Sequence, residues 1–323
     1  MVYTVAFSGR RGPGQAHDGM EPMDLNTLDL EPGTLLWHYT DFKGLEGILA
    51  GTIWASSLPY LNDTEEFRHG AAIALEVLQN ELTVALGAFD AAYSIAIHGQ
   101  LLAFFGDLLQ PSDVFIAAVS KKQDDISQWR AYGGIRGPMF SVGFDPKSLE
   151  IKAQQSAFDL EEVKYRRPHI VADLRLAIRP TIDGIIESLR ERKGGPQSVP
   201  QWVATIAREL LVLIPRYKNP KFAEEEEWRL IRRQAVLTGS PRLKLQFRQS
   251  GSLVVPYLAM PLHTPATEED VFANGAVIES PIAAITIGPS PHPEQLRYAV
   301  GEMVARIGLA PQVESSCVPF RNW

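Results

Sequence analysis

Two hydrophobic periodicities divide this sequence, and their separation along the chain sets the fold class. Between residues 66 and 109, and again between 169 and 214, apolar residues recur at the three-to-four spacing of helices that bury one face. Glu227 to Arg233, Leu243 to Phe247, Ser252 to Leu258 and Ile282 to Ile287 follow strand spacing instead, and Gly, Pro and Ser turns join them. The N-terminal part mixes both. Thr34 to Tyr39 reads as a strand, the Phe42, Leu45, Ile48, Leu49 spacing as a helix closed by Gly51, and Thr52 to Ser56 as a second strand. Val114 to Ser120 and Pro138 to Phe144 are further strands around a short helix, Asp124 to Tyr132, and a last helix spans Pro293 to Ile307. Helical and strand runs kept apart in this way indicate an α+β protein with a mixed or antiparallel β core. The expected organisation is a loose arm over residues 1–30, rich in Gly, Pro and charge, and one domain over 31–323. That domain carries a helical insertion at about 169–214, broken at Lys193-Gly194-Gly195-Pro196.

Bulk properties narrow the function. With 45% hydrophobic residues among 323, the chain can bury a large core without covalent staples. A net charge of −7 argues against a broad basic surface for duplex nucleic acid. Cys317 is the only cysteine, so neither an intrachain disulfide nor a thiolate zinc site can form. No secretory signal is recognisable at the N-terminus. The most apolar stretch, Ala91 to Leu109, carries His98, Gly99, Gln100 and Asp107, which suits a core helix better than a bilayer span. These features together indicate a soluble, cytoplasmic protein with no membrane partner.

Four blocks concentrate polar chemistry beside aromatic rings. In Trp37-His38-Tyr39-Thr40, strand alternation sends His38 and Thr40 one way and Trp37 and Tyr39 the other. In Leu61-Asn62-Asp63-Thr64-Glu65-Glu66, several side-chain acceptors crowd one turn, as a helix cap requires. In Ser127-Gln128-Trp129-Arg130-Ala131-Tyr132, a helix places Gln128 and Tyr132 on one face with Trp129 beside them, either as a packed aromatic corner or as a platform for a planar ring.

The fourth block runs from Lys218 to Ile231 and holds four consecutive acids, Glu224 to Glu227. If a strand begins by Glu225, then Glu225, Glu227 and Arg229 share a face and Trp228 anchors the other. The two carboxylates would then lie about 7 Å apart. Arg229 would help keep one of them ionised.

In this order the blocks resemble the bacterial domain-of-unknown-function family twenty-nine seventy-one. The matching pieces are His38-Tyr39-Thr40, Asn62-Asp63-x-x-Glu66, Ser127-Gln128-Trp129-x-x-Tyr132 with the Gly137 to Phe144 strand, Phe222-x-x-Glu225-x-Glu227-Trp228-Arg229, Gly288-Pro289 and Ser316-x-x-Pro319-Phe320-Arg321. They extend from residue 35 to 321. More distantly, His38, then Tyr132 or Ser141, then Glu227 resembles the order of site residues in ADP-ribosyltransferases.

That second resemblance implies NAD as substrate, no metal, and a macromolecular acceptor, protein or nucleic acid, in a toxin or antiviral effector. It also implies roles. His38 would bond the adenosine or nicotinamide-ribose side of NAD, and Tyr39 or Tyr132 would stack the nicotinamide. Glu227 would hold the ribose and stabilise its cation, while Glu225 would orient or deprotonate the nucleophile. Thr40, Ser127, Gln128, Trp129 and Arg229 would complete the pocket. Apart from the resemblance, Arg321 could fold back to hold a phosphate or to pair with one of the acids, a surface salt bridge being the ordinary outcome for such a residue. Ser-Gln-Trp in place of Ser-Thr-Ser, and the helical insertion, depart from that pattern. Two other functions fit the same residues: a nuclease holding Mg²⁺ on Asp63, Glu65 and Glu227, and a non-catalytic module recognising a nucleotide or peptide.

Overall fold

The computed structural model describes residues 28, 30–61, 64–89, 94–96, 98–100, 102–103, 114–132, 137–193, 198–233 and 244–319, with backbone only at 64–66 and 132. Tertiary contacts divide the chain into Met1–Pro32 and Gly33–Trp323, and every described helix and strand belongs to the second unit. The arm expected over 1–30, Asn62, Asp63 and Arg321, and most of the Ala91 to Leu109 stretch, lie outside the described residues.

Ten strands form one sheet: β1 (Leu36–Asp41), β2 (Thr52–Ser57), β3 (Val114–Ser120), β4 (Met139–Phe144), β5 (Asp159–Glu162), β6 (Glu227–Arg233), β7 (Gln246–Ser250), β8 (Leu253–Pro261), β9 (Ile282–Ile287) and β10 (Gln312–Ser315). The order is β10-β9-β4-β1-β3-β2-β8-β7, with β6 joined to β3 and β5 joined to β6. All named strand pairs are antiparallel except β9 with β10. The α+β expectation with a mixed, largely antiparallel sheet therefore holds.

Strand β3 organises the sheet because it has three partners. On one edge it pairs with β6 along its whole length, from Val114↔Arg233 to Ser120↔Glu227. Its other edge is shared. β1 touches it at Trp37↔Ser120, and β2 at Ser56↔Ile116 and Ser57↔Phe115. Each of those strands is held elsewhere, β1 by six residues of β4 and β2 by five of β8. Strand twist rotates neighbours apart, so β1 and β2 separate and leave the middle of β3 open between them.

The helices follow local signals. In α1 (Phe42–Leu49), Asp41 caps the N-terminus by accepting from the Gly44 N–H at 2.9 Å, and Leu45, Ile48 and Leu49 are buried. Gly51, at φ 98°, then turns the chain into β2, a conformation that glycine alone adopts without strain. The short helix α3 (Ile126–Tyr132) follows the long α2 (Thr64–Leu86). The expected insertion is α5 (Arg167–Arg190) and α6 (Val199–Leu213), preceded by α4 (Pro146–Gln155). Leu174, Ile178, Ile182 and Ile185 of α5, Val203, Ile206 and Leu210 of α6, and Ala74, Leu78 and Leu82 of α2 form one apolar cluster with Val114, Ile116 and Ile231 of the sheet. Full burial of each such side chain contributes roughly 1.5–3 kcal/mol, so this layer is a major source of stability. The remaining helices are α7 (Glu268–Asn274) and α8 (Pro293–Arg306).

Candidate functional site

The opening between β1 and β2 is a cavity of about 450 Å³ backed by Ile116 to Ser120 of β3. His38, Tyr39, Thr40, Gln128, Glu225, Glu227 and Arg229 all contribute to its walls. The structure thus brings together residues from all four blocks, the second through Leu61 alone, separated by up to 192 positions in sequence from Trp37 to Arg229. Ser127 and Trp129 do not line it, and the Tyr132 and Arg321 side chains lie outside the described residues.

The acidic wall follows the Glu227 to Arg233 strand boundary and not the alternative of a start by Glu225. Pro220–Glu225 forms a 3₁₀ turn whose Asn219 cap accepts from the Lys221 N–H at 3.0 Å, and Glu226 sits in the left-handed region at φ 45°. β6 starts only at Glu227, so an extended Glu-x-Glu edge does not form. Proline at the first position and an asparagine cap favour the turn over a strand. The Ser120 hydroxyl fastens it by donating to the Glu225 carbonyl at 2.6 Å.

The two carboxylates nonetheless converge through Lys218. Its Nζ lies 2.7 Å from Glu225 Oε2 and 2.9 Å from Glu227 Oε2, on a side chain only 1% exposed. Arg229 completes the cluster. Its Nε donates to Glu227 Oε1 at 2.6 Å, its Nη2 to Oε2 at 3.1 Å, and its Nη1 to the Pro215 carbonyl at 2.6 Å. The Glu227 N–H donates to the Tyr165 hydroxyl at 2.9 Å. Burial alone would raise the Glu227 pKa, but Arg229 and Lys218 outweigh it and hold the carboxyl below its ordinary range. Burial pushes the Tyr165 phenol up, so it stays protonated.

Lys218, Tyr165 and Pro215 flank the helical insertion. The face of β6 that buries Ile231 under α5 and α6 continues through Arg229 to Glu227, so the helical layer supplies the groups that fix the acid. Two cations already beside Glu227 also disfavour a bound metal there. Among the described residues no group of three His, Cys, Asp or Glu could hold one.

His38 bridges the place where the β1–β3 ladder stops. Its Nδ1 lies 2.8 Å from the Ala118 carbonyl oxygen and must donate to it, which leaves Nε2 as an acceptor in the neutral ring. Burial lowers the His38 pKa, and nearby Arg248 adds to this against the opposing Ala118 bond, so the neutral form dominates at pH 7. Thr40, two residues on, packs its hydroxyl onto Gly44 of α1.

The aromatic residues adopt the packed-corner alternative. Tyr39 and Trp129 meet edge to face with ring centroids 4.6 Å apart, in a cluster with Trp37 and Ala284. Trp37 lies flat over Gly143, where an added β-carbon would come within 2.8 Å of its ring. The Tyr39 hydroxyl donates to the Lys122 carbonyl at 2.8 Å and accepts from the Asp125 N–H at 3.0 Å. Trp129 Nε1 donates to Asp124 Oδ1 at 2.7 Å, and the Ser316 hydroxyl and Cys317 N–H donate to the same carboxylate at 2.6 and 2.7 Å. The role of the Ser316-x-x-Pro319 segment is thus to anchor this corner. Ser127 belongs to the start of α3, where Asp125 accepts from its N–H at 2.8 Å. Tyr39 and Trp129 are thus both held by packing and hydrogen bonds, and of the two only Tyr39 also lines the cavity.

Sequence reasoning missed Lys218, Tyr165 and Arg248. Arg248 of β7 reaches across β8 to donate from Nη2 to the Ser56 hydroxyl at 3.1 Å, and its guanidinium lies 5.8 Å from the Trp54 ring centre. No local motif marks any of the three. Tyr165 and Arg248 are placed by chain far from the blocks they meet, and Lys218, which opens the fourth block, gives no sign in sequence of its burial.

Fold and site therefore define an α+β protein with a split, largely antiparallel sheet and one polar cavity at the split. The family described as a protein of unknown function (DUF2971) matches residues 128–230, from α3 into β6. That match is narrower than the expected resemblance over 35–321. It includes Gln128, Trp129, Glu225, Glu227 and Arg229, and leaves out His38 and Arg248. No curated protein and no solved structure matches the chain. Among the described residues, no helix is long and apolar enough to cross a membrane.

Proposed function

We propose that the cavity binds NAD and that the protein is an ADP-ribosyltransferase-like enzyme, transferring ADP-ribose to a macromolecular acceptor. The observation that carries this reading is that His38 and Glu227 line one cavity, at the point where the sheet splits. In this scheme the bond between nicotinamide and ribose breaks, and its electron pair leaves with nicotinamide. The ribose is left as an oxocarbenium-like cation. Glu227, kept ionised by Arg229 and Lys218, stabilises that cation in a water-poor site, the kind of fixed charge that lowers such barriers most. An acceptor nucleophile then bonds to the ribose carbon, and its proton passes to Glu225, whose side chain is partly exposed. Neutral His38 accepts a ribose hydroxyl at Nε2.

The test is incubation of the full chain with labelled NAD and a cell lysate, beside Glu227→Gln. The expected result is label on a macromolecule with the wild type and its loss with the variant. Equal and negligible NAD turnover by both would sink the reading.

One observation favours a second reading, a non-catalytic nucleotide-recognition module. Both oxygens of Glu227 already accept from Arg229 and Lys218, so the carboxylate has a structural role whether or not it reacts. In that case NAD or another nucleotide binds without being cleaved, and Glu227→Gln alters stability alone.

A further inference from the structure

We propose that Arg248, with Ser56, forms a diphosphate subsite on the β2 side of the cavity, so that the bound molecule is a nucleoside diphosphate or its ester. The proposal deepens the reading above, on which the nucleotide identity of the ligand rests, and the subsite itself stands on its own geometry.

Arg248 differs from Arg229, the other arginine in the cavity wall, and from Arg233 farther along β6. Arg229 is held by Glu227 and Pro215, and Arg233 by Asp159 at 2.6 Å. Arg248 lines the cavity, and among the described residues its hydrogen bond is to Ser56, a neutral hydroxyl, with the Asp41 carboxylate nearby in the same wall. Its buried Nε has no hydrogen-bond partner among the described residues. A guanidinium carries five donors, so several of its N–H groups are left to meet a ligand. An unsatisfied buried donor costs about 1–3 kcal/mol, which an incoming anion would recover.

The surroundings make this donor set rigid. The guanidinium lies near Trp54, whose ring stands 5.2 Å from that of Tyr257, and the Tyr257 hydroxyl donates to Gln246 at 2.9 Å. Trp54 and Tyr257 sit on the paired strands β2 and β8, with Gln246 on β7, so three strands brace one cation. A planar fork held in this way suits the tetrahedral oxygens of a phosphate.

The cavity carries charge on both sides, with Asp41 of β1 also in its wall and near Arg248. Glu225 and Glu227 enter from β6 and the turn before it, on one edge of β3, whereas Ser56 and Arg248 enter from the β2 side of the opposite edge. A ligand with an anionic end and an end that becomes cationic would align its diphosphate toward Arg248 and its reacting ribose toward Glu227. His38, on β1, lies close enough to Arg248 to feel its charge, which places the imidazole in the same region of the cavity.

The experiment is calorimetric titration of the full-length protein with inorganic pyrophosphate, ADP-ribose and uncharged adenosine. Wild type, Arg248→Gln, Arg248→Lys and Ser56→Ala are compared, each checked for native unfolding behaviour. Wild type should bind pyrophosphate and ADP-ribose, more weakly as salt rises. Arg248→Gln should weaken both at least tenfold and leave adenosine unchanged. Arg248→Lys should retain part of the affinity, because the charge remains while the fork is lost, and Ser56→Ala should fall between. Pyrophosphate affinity equal in wild type and Arg248→Gln would overturn the subsite, as would no anion binding by the wild type. The two readings separate cleanly. Arg248-dependent anion binding without NAD cleavage keeps the subsite and removes the transferase, whereas NAD cleavage undiminished in Arg248→Gln does the reverse.

Discussion

The two walls of the cavity are built on opposite principles. On the β6 side, Glu225, Glu227, Lys218 and Arg229 satisfy one another within a buried cluster, and the helical layer closes it through Pro215 and Tyr165. On the β1 and β2 side, His38 keeps Nε2 free to accept and Arg248 keeps donors without partners among the described residues. A completed network fixes geometry and loses heavily if one member is removed, while an incomplete one has capacity left for a ligand. The difference teaches that charge density alone is a poor guide to binding. The four-acid run is the most conspicuous feature of the sequence, yet the spare hydrogen-bonding capacity lies across the cavity from it.

Substitutions can break this contrast in order of expected size. The largest effect belongs to Lys218→Met. It removes the buried Nζ that Glu225 and Glu227 share, and should cost roughly 3–5 kcal/mol in denaturant unfolding. A loss below about 1 kcal/mol would show that the cluster is not the coupled unit described here. Trp129→Phe comes next, at about 1–3 kcal/mol, because it removes the indole N–H from Asp124 and thins the corner against Tyr39.

The pH dependence sharpens the comparison further, because the two walls respond in different windows. His38 has a folded pKa below its unfolded value of about 6.5, so the unfolded chain takes up the proton first as pH falls. Stability from this source is steady above that pH and declines below it, and His38→Gln should flatten that decline. Glu227 is also depressed, but from about 4.3, so its contribution is present above that value and is lost only as pH falls through its folded pKa. Thermal unfolding of wild type and His38→Gln between pH 7.5 and about 5 isolates the histidine. The smallest effect on stability is expected for Arg248→Gln, within about 0.5 kcal/mol of wild type, since among the described residues its hydrogen bond is to the Ser56 hydroxyl alone.

Much of the sheet was legible because its strands carry their own pattern. Val114–Ser120, Glu227–Arg233 and Ile282–Ile287 are bounded where the sequence places them, the first and last as apolar runs cut sharply by polar or Gly/Pro residues. β5 and α7 escaped notice for a physical reason. Asp159–Glu162 is a short acidic strand whose Asp159 and Glu161 serve Arg233 and Arg216 and which buries only Leu160 in the core. Glu268–Asn274 buries no residue, so it shows no hydrophobic period, although its Thr267 and Asp270 capping box was there to read. In the site, the pairing of His38 with Glu227 could be anticipated from order along the chain, and their shared cavity follows from β3 lying between β1 and β6. Lys218 and Arg248 could not. A buried lysine looks in sequence like a solvated one, and Arg248 reaches Ser56 only through the register of two intervening strand pairs.

The most direct measurement is the rate of nicotinamide release from NAD by the full-length protein, read together with NAD affinity for wild type and Glu227→Gln. Release by the wild type, with a loss of at least about a hundredfold in the variant and affinity for NAD retained, is the expected result, since one charge aimed at the developing cation contributes on that scale. Equal, negligible release by both proteins would contradict it, and would leave the cavity as a binding site without chemistry.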